Sequence, residues 1–179
     1  MRIVHLILTR CFAGSERHVV ELANQQIAEG HEVSVILRRS AAQSRPDAIA
    51  HRFDAGVKIF LVSDWFRHWQ ARRVLKQLKP DVAHAHLNRA SAVLKGMNGL
   101  FLRVATLHID YKAKRHGHLD GVIAIAPWQM AHIPEPLRGH SVQIDNWTRN
   151  ITPSPEARDA IRAAHGISPE AFVFGALGR

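Results

Sequence analysis

The sequence has a single cysteine, Cys11, among its 179 residues. One thiol can form neither an internal disulfide nor a multi-cysteine zinc site, which excludes a disulfide scaffold and fits a reducing compartment. No apolar run reaches the roughly 18 residues that a membrane-spanning helix needs, and the first residues lack the pattern of a cleavable secretion signal. These absences favour a cytoplasmic protein, in which we expect Cys11 to be a small buried side chain.

Several motifs of nucleotide binding and catalysis are also absent. The turn at residues 12–17 has one glycine, Gly14, whereas the dinucleotide fingerprint G-x-G-x-x-G needs three, and no phosphate-binding G-x-x-x-x-G-K-[ST] loop occurs. Neither a nucleophile elbow, nor a Cys-His pair in a reactive context, nor a kinase motif can be assembled. The sequence therefore does not favour nucleophilic catalysis.

Apolar strand-like runs alternate with amphipathic helical segments along most of the chain. Residues 3–8 and 33–37 form two such runs, and a glycine turn and a helix that stops at Gly30 lie between them. Further strand candidates are residues 57–62, 82–87, 103–108, 121–126 and 140–144, with helices near 66–79 and 89–100. This order predicts an α/β fold with an open, doubly wound, mostly parallel sheet.

The composition changes near residue 147. Residues 147–155 contain two prolines and small polar residues, as exposed connectors do. Beyond them, residues 156–165 predict a helix and residues 172–177 a strand, and one strand cannot form a domain. We expect residues 1–147 to form a Rossmann-like domain and residues 148–179 to be the linker, helix and first strand of a truncated second domain.

The candidate ligand-binding positions follow the strands of this predicted sheet, because ligands of doubly wound sheets bind beyond the carboxyl ends of the strands. The first position is the turn with Gly14, Ser15 and Arg17, where amides at a helix N-terminus can hold a phosphate or a sugar hydroxyl. The others are His86 and His108, each at the end of a strand.

The abundance of histidine, thirteen residues, raises the question of a metal site. His84 and His86 share one strand face, and His108, His116 and His118 could supply further ligands. Two-histidine strand motifs of metal hydrolases belong to larger barrels with added carboxylates, for which this chain is too short. We therefore expect no metal, and we interpret His84 as a structural histidine that is hydrogen-bonded in the sheet.

Positive charge is concentrated in the middle of the chain. The net charge is +9, and residues 61–120 contribute eleven basic and four acidic side chains. Such a field attracts nucleic acid, a phospholipid surface or a phosphorylated or acidic substrate. Lys112, Lys114 and Arg115 form one basic cluster in a predicted loop, where they either grip phosphates or are simply solvated.

A second basic cluster lies in the helix predicted near residues 66–79. At helical spacing, Trp65 and Trp69 fall among Arg72, Arg73 and Lys76, opposite an apolar stripe. Aromatic rings mixed with cations suit an anionic membrane interface. The alternative is that the aromatic residues belong to a preceding loop and pack inward, which would leave an ordinary solvated basic helix.

Several segments, taken in order, resemble the family 4 (group 1) retaining glycosyltransferases of GT-B architecture, specifically their N-terminal domain. The resemblance covers nearly the whole chain, although each motif alone is weak. The matching segments are AGSER at 13–17, EGHEV at 29–33, KPDVAHAH at 79–86, TLH at 106–108, IDNW at 144–147 and FGALGR at 174–179.

The resemblance implies a bacterial enzyme of the hexosyltransferase type, which transfers a sugar with retention from a nucleotide-sugar to a lipid-linked or cell-envelope glycan. It implies that Gly14 and its neighbours line the cleft, that Asn146 belongs to the acceptor side, and that His108 hydrogen-bonds the transferring sugar. Arg179 would contact the donor diphosphate. The implied location is the cytoplasmic face of the membrane, and no cofactor is expected.

The chain departs from the family pattern at three positions. Ala13 and Trp147 replace two glycines, and Asp145 replaces a proline. The family's donor-binding lysine and paired glutamates lie beyond residue 179, so we expect the chain alone to be inactive. The alternative is a self-contained nucleotide- or anion-binding Rossmann-like module. Nucleic-acid binding ranks last, because it rests on charge alone.

Overall fold

The structure, a computed structural model, describes residues 1–147 and 152–176. The chain divides into two compact units, Met1–Asn146 and Trp147–Arg179. Arg179, the predicted diphosphate ligand, lies outside the described residues. Within the described residues, no helix combines the length and the apolar character that crossing a bilayer requires.

The first unit is built on a seven-stranded parallel sheet. Its strands are β1 (Arg2–Ile7), β2 (Glu32–Arg38), β3 (Lys58–Val62), β4 (Val82–His86), β5 (Leu102–Leu107), β6 (Gly121–Ala124) and β7 (Val142–Gln143). They pair in the order β3-β2-β1-β4-β5-β6-β7. This Rossmann-like order confirms the predicted doubly wound α/β sheet, and every strand predicted for residues 1–147 is present.

Six α-helices connect these strands. They are α1 (Gly14–Ala28), α2 (Arg67–Leu78), α3 (Leu87–Leu94), α4 (Ala113–His116), α5 (Pro127–His132) and α6 (Glu135–Arg138). The helix predicted near residues 89–100 is shorter than expected. It ends before Gly96, whose φ of +73° is a left-handed conformation that does not continue an α-helix. The basic cluster at residues 112–115 was predicted to lie in a loop. This prediction is wrong for residues 113–115, which belong to α4.

The sheet is covered by helices on both faces, which explains why its central strands are almost continuously apolar. On one face, Ile7 and Val35 pack with Val19 and Ala23 of α1. On the other face, Leu6 and other strand residues pack against α2 and α3. Alternate residues of a strand therefore enter two different cores, a point that decides where the buried histidines lie.

The amino-terminal edge of the sheet carries an ion pair between a buried arginine and a partly exposed aspartate. Arg103 of β5 is buried, and its Nη2 and Nε donate to the two carboxylate oxygens of Asp120 at 2.6 and 3.0 Å. The backbone N–H of Arg103 also donates to Asp120, at 2.8 Å. This pair lies at the end of the sheet opposite to the candidate site and links β5 to the start of β6.

The expectation that Cys11 is a small buried side chain is wrong. Cys11 is exposed, because it lies in the loop after β1 and not in a core element. Its thiol hydrogen-bonds Asp47 and lowers the pKa of that carboxyl group.

The second unit contains α7 (Pro155–Ala164), which confirms the helix predicted at residues 156–165. Ser154 caps it by accepting a hydrogen bond from the backbone N–H of Ala157 at 3.1 Å. The strand predicted at 172–177 is not formed over residues 172–176, and Phe172 and Phe174 are exposed there. The described part of this unit offers no neighbouring strand to pair with.

Candidate functional site

The candidate site lies at the carboxyl ends of β1 and β4, where the strand order reverses. β1 and β4 are neighbours in register, so that His5 lies beside His84 and Ile7 lies beside His86. His5, His84 and His86 are all buried. Because they alternate with residues of the α2 and α3 core, their side chains enter the face that α1 covers. The polar residues of α1 thus become their partners.

His5 and His86 form a hydrogen-bonded series with His108, and we name these three residues the imidazole chain. Gln26 Oε1 of α1 lies 2.7 Å from His5 Nε2. His5 Nδ1 lies 3.1 Å from His86 Nε2, and His86 Nδ1 lies 3.2 Å from His108 Nε2. The chain therefore runs from helix α1 through the buried sheet to His108, which is half-buried at the end of β5.

Two further histidines flank the imidazole chain. His84 lies against His86 with ring centroids 4.2 Å apart, and its Nε2 is 2.8 Å from the hydroxyl of Thr106. This bears out its interpretation as a structural histidine in the sheet. His18 of α1 meets His108 edge-on, with centroids 4.9 Å apart, and it is hydrogen-bonded by Asn146. Asn146 thus joins the site through His18.

Burial keeps these imidazoles neutral. It is the main reason that the pKa of His5 and the pKa of His108 fall to about 4, and nearby His18 lowers both further. The pKa values of His84 and His86 are held well below the usual range, first by burial and then by the neighbouring histidines. A neutral imidazole has one N–H donor and one acceptor nitrogen, so each ring can pass a hydrogen bond from one neighbour to the next.

The first turn of α1, which begins at Gly14, leads to His18 of the site. Glu16 is buried, and its carboxylate accepts a hydrogen bond from the backbone N–H of Ala13 at 3.0 Å, which fixes the turn. Gly14 is exposed, and a Cβ placed on it would meet no atom within 4 Å. The side chain of Arg17, a predicted ligand-binding residue, instead donates a hydrogen bond from its Nε to Glu21 at 2.8 Å. The turn therefore offers open backbone beside Ser15.

Two sets of histidines in the described part of the chain bring three ring nitrogens within 4.8 Å of one another: His5, His84 and His86, and His18, His86 and His108. In both sets, hydrogen bonds between the rings already use some of these nitrogens. His116 and His118, suggested as ligands from the sequence, belong to neither set. His116 accepts from the N–H of Lys112 and His118 contacts the carbonyl of Ser91.

The two tryptophans at and just before the start of α2 face outward. Trp65 is 90% exposed and Trp69 62% exposed, whereas Ala71 and Leu75 are buried, so the alternative in which the tryptophans pack inward is wrong. We name Trp65, Trp69, Arg73 and Lys76 the tryptophan–basic surface. Arg72, assigned to this surface from the sequence, instead donates hydrogen bonds to the carbonyls of Val93 and Lys95 at the end of α3.

The second basic cluster lies close to the first. Lys112, Lys114 and Arg115 are all exposed on and before α4. The pKa of His68 on α2 is lowered by burial, then by Arg67 and Arg72 of its own helix, and also by Arg115. The charge of Arg115 therefore reaches His68 of α2.

The sequence did not single out three residues of this site: His5, His18 and Gln26. His5 was the detectable one, because it interrupts an otherwise apolar buried strand, and a buried polar group needs a partner. The partners themselves are 81 residues away in His86 and 21 residues away in Gln26. No local pattern reports such distances.

Known proteins resemble this chain both in sequence and in fold. A sequence profile of Glycosyltransferase Family 4 matches residues 12–173. No curated protein sequence matches significantly. A glycosyltransferase from Rickettsia africae ESF-5 is similar with a TM-score of 0.68 and 13% identity, over 94% of this chain and 50% of its own. The apo form of the lipopolysaccharide outer core galactosyltransferase WaaB gives 0.51 and 14%, over 79% and 44%.

At these identities the solved structures show a shared fold, the Rossmann-like arrangement of GT-B glycosyltransferases. The chain spans about half the length of each of them.

Proposed function

The chain belongs to glycosyltransferase family 4, and from this we propose that it is the acceptor-side domain of a retaining sugar transferase. Its reaction moves a hexose from a nucleotide-sugar to a lipid-linked or cell-envelope glycan. The observation that carries the proposal is the contact of His108 with His18, a residue that Asn146 hydrogen-bonds and that lies one helical turn after Gly14 on α1. The name of the WaaB neighbour, a lipopolysaccharide galactosyltransferase, supports an envelope glycan as the acceptor.

The residues of this domain act by positioning. His108 is neutral because burial holds its pKa at about 4, so it binds a sugar hydroxyl by hydrogen bonding and not as a cation. The open backbone at Gly14 lets a phosphate or a sugar approach the first amides of α1 closely. Retaining transfer of this kind needs no general base from the domain, since orientation and charge stabilisation lower the barrier. No metal or other cofactor takes part in the proposal.

The Gly14 turn gives a sharp test. A Cβ added at Gly14 meets no atom of the described chain within 4 Å, so Gly14→Val should fold normally but fill the space that a ligand needs. Gly139→Val is the matched control, because Gly139 is also exposed and unobstructed and lies at the end of α6. We expect loss of sugar transfer for Gly14→Val only, measured with the protein extended through the second domain. Equal activity of both variants would contradict the assignment.

Calorimetric titration with UDP, GDP and nucleotide-sugars separates the two candidate functions. Binding and transfer only by the extended protein would support the transferase, in which a second domain holds most of the donor. Tight nucleotide binding by the 179-residue chain alone would favour the self-contained module. The anomeric configuration of the product, read by NMR, tests retention.

The tryptophan–basic surface supports peripheral attachment to an anionic membrane, on the cytoplasmic face. Indole rings lie at headgroup depth and cations lie near anionic lipid in such interfaces, and Arg73 lies 5.8 Å from the ring centre of Trp69. We expect the chain to sediment with anionic liposomes and not with neutral ones. Trp65→Ala with Trp69→Ala should weaken this binding, while Trp128→Ala, an exposed tryptophan of α5, should not.

A further inference from the structure

The imidazole chain has a direction, because each neutral ring donates from one nitrogen and accepts at the other. If His5 donates from Nε2, its Nδ1 is an acceptor and must receive the proton of His86 Nε2. The Nδ1 of His86 is then an acceptor as well, and it receives the proton of His108 Nε2. Fixing the proton on one ring therefore fixes it on all three.

The buried end of the chain supplies this choice. Gln26 places its carbonyl oxygen Oε1 at 2.7 Å from His5 Nε2, and a carbonyl oxygen only accepts. His5 must then carry its proton on Nε2. Because His5 and His86 are fully buried, away from water, a ring that turned against this order would leave a polar atom unsatisfied.

The other end of the chain is His108, the proposed sugar-binding histidine. Its Nε2 is used by His86, and its Nδ1 has no hydrogen-bond partner within the described residues. We propose that Gln26, acting through His5 and His86, fixes the tautomer in which His108 keeps its proton on Nε2 and offers Nδ1 as an acceptor to a substrate hydroxyl. Gln26, His5 and His86 are positioning residues, and the substrate role of His108 rests on the proposed function.

NMR of the 15N-labelled, EDTA-treated 179-residue chain at neutral pH tests the direction. Long-range 1H–15N correlations show which ring nitrogen carries a proton, and scalar coupling across N–H···N bonds shows which nitrogens are joined. We expect protons on Nε2 of all three rings, with couplings that link His108 to His86 and His86 to His5. Protons on Nδ1 of His5 or His86, or no coupling between the rings, would overturn the proposal.

Substitutions at Gln26 test its control over a distant ring. Gln26→Glu keeps an acceptor and should leave the Nε2–H signal of His108 in place. Gln26→Lys supplies only donors and should move the protons of His5 and His86 to Nδ1, with loss of the Nε2–H signal of His108. Gln25→Lys, which adds the same charge at the neighbouring exposed position, should change nothing.

Two outcomes at position 26 decide against the proposal. An unchanged His108 tautomer in a folded Gln26→Lys protein would show that Gln26 does not set it. If Gln26→Lys does not fold, Gln26→Leu provides the same test, since it removes the acceptor without adding charge. We expect it to give a second set of His5 signals, and a single unchanged tautomer would overturn the proposal.

Substrate analogues test the acceptor role of His108 in the extended, active protein. Because Nδ1 accepts, replacing the contacted hydroxyl by hydrogen or by fluorine should reduce kcat/KM alike, by about tenfold, since neither substituent donates. In the His108→Ala variant, kcat/KM for both analogues should equal that for the parent sugar. A fluoro analogue that is used as well as the parent sugar would show that His108 donates instead. Absence of any transfer would refute the proposed function and leave the NMR result standing.

Discussion

Acid should destabilise this fold well before its carboxyl groups titrate. The perturbation is a decrease from about pH 7.5 to about pH 5, across the ordinary pKa of histidine. The pKa of His5 is about 4 in the folded chain because of burial, against 6.5 for an ordinary histidine. Between these values the unfolded state binds the proton and the folded state does not, so stability is lost as the pH falls through this window.

The size of the effect follows from the same numbers. At about pH 5, one histidine with these two pKa values favours unfolding by about 2 kcal/mol. His5 and His108 each contribute about this amount. His84 and His86 act in the same direction, because burial also holds their pKa values well below the usual range. His5 and His108 together favour unfolding by about 4 kcal/mol, near the lower end of the stability of a typical domain, about 5–15 kcal/mol, so we expect marked destabilisation near this pH.

Urea unfolding at a series of pH values, followed by circular dichroism, measures how steeply the free energy of unfolding changes with pH. Each buried histidine should add up to about 1.4 kcal/mol per pH unit. His84→Gln should reduce the slope, whereas His140→Gln, which removes an exposed histidine, should not. A stability that is constant between about pH 6.5 and about pH 5, or equal slopes in the two variants, would refute the reasoning.

Three further predictions concern stability, each measured by urea unfolding at neutral pH. Leu75→Ala should cost about 3 kcal/mol, because this leucine is fully buried between α2 and the sheet; a loss below about 1 kcal/mol would contradict that packing. Asp120→Asn should cost about 2 kcal/mol, since it leaves the buried guanidinium of Arg103 without a countercharge; a neutral outcome would count against the ion pair. Glu16→Ala should cost about 1 kcal/mol through the lost bond to Ala13, while exposed Glu29→Ala serves as its control.

Much of the fold was predictable because the forces that form it act locally in the sequence. Strands covered on both faces must be apolar throughout, and this is how β1 and β2 were found. Helical periodicity placed Trp69 opposite the buried stripe of α2, which was one of two interpretations that the sequence left open, and the structure decides for the exposed one. The predicted end of the helix after β4 was less accurate, because that end depends on the backbone conformation of Gly96.

Elsewhere the sequence misled for reasons that lie in the tertiary structure. Arg72 lies where helical periodicity predicts a solvated basic side chain, yet its guanidinium donates hydrogen bonds to carbonyl groups at the end of another helix. Residues 172–176 have the apolar pattern of a strand, but a strand requires a neighbour to accept its hydrogen bonds.

The sequence by itself determined the parallel α/β sheet, the turn at Gly14 and the position of His108 at the end of a strand. It did not determine what His108 touches. That depends on the register that sets His5 beside His84, on the strand alternation that turns His86 toward α1, and on the place of Gln26 along that helix. Tertiary structure alone decided these contacts, because hydrogen bonds between buried rings depend on distances in space and not on spacing along the chain.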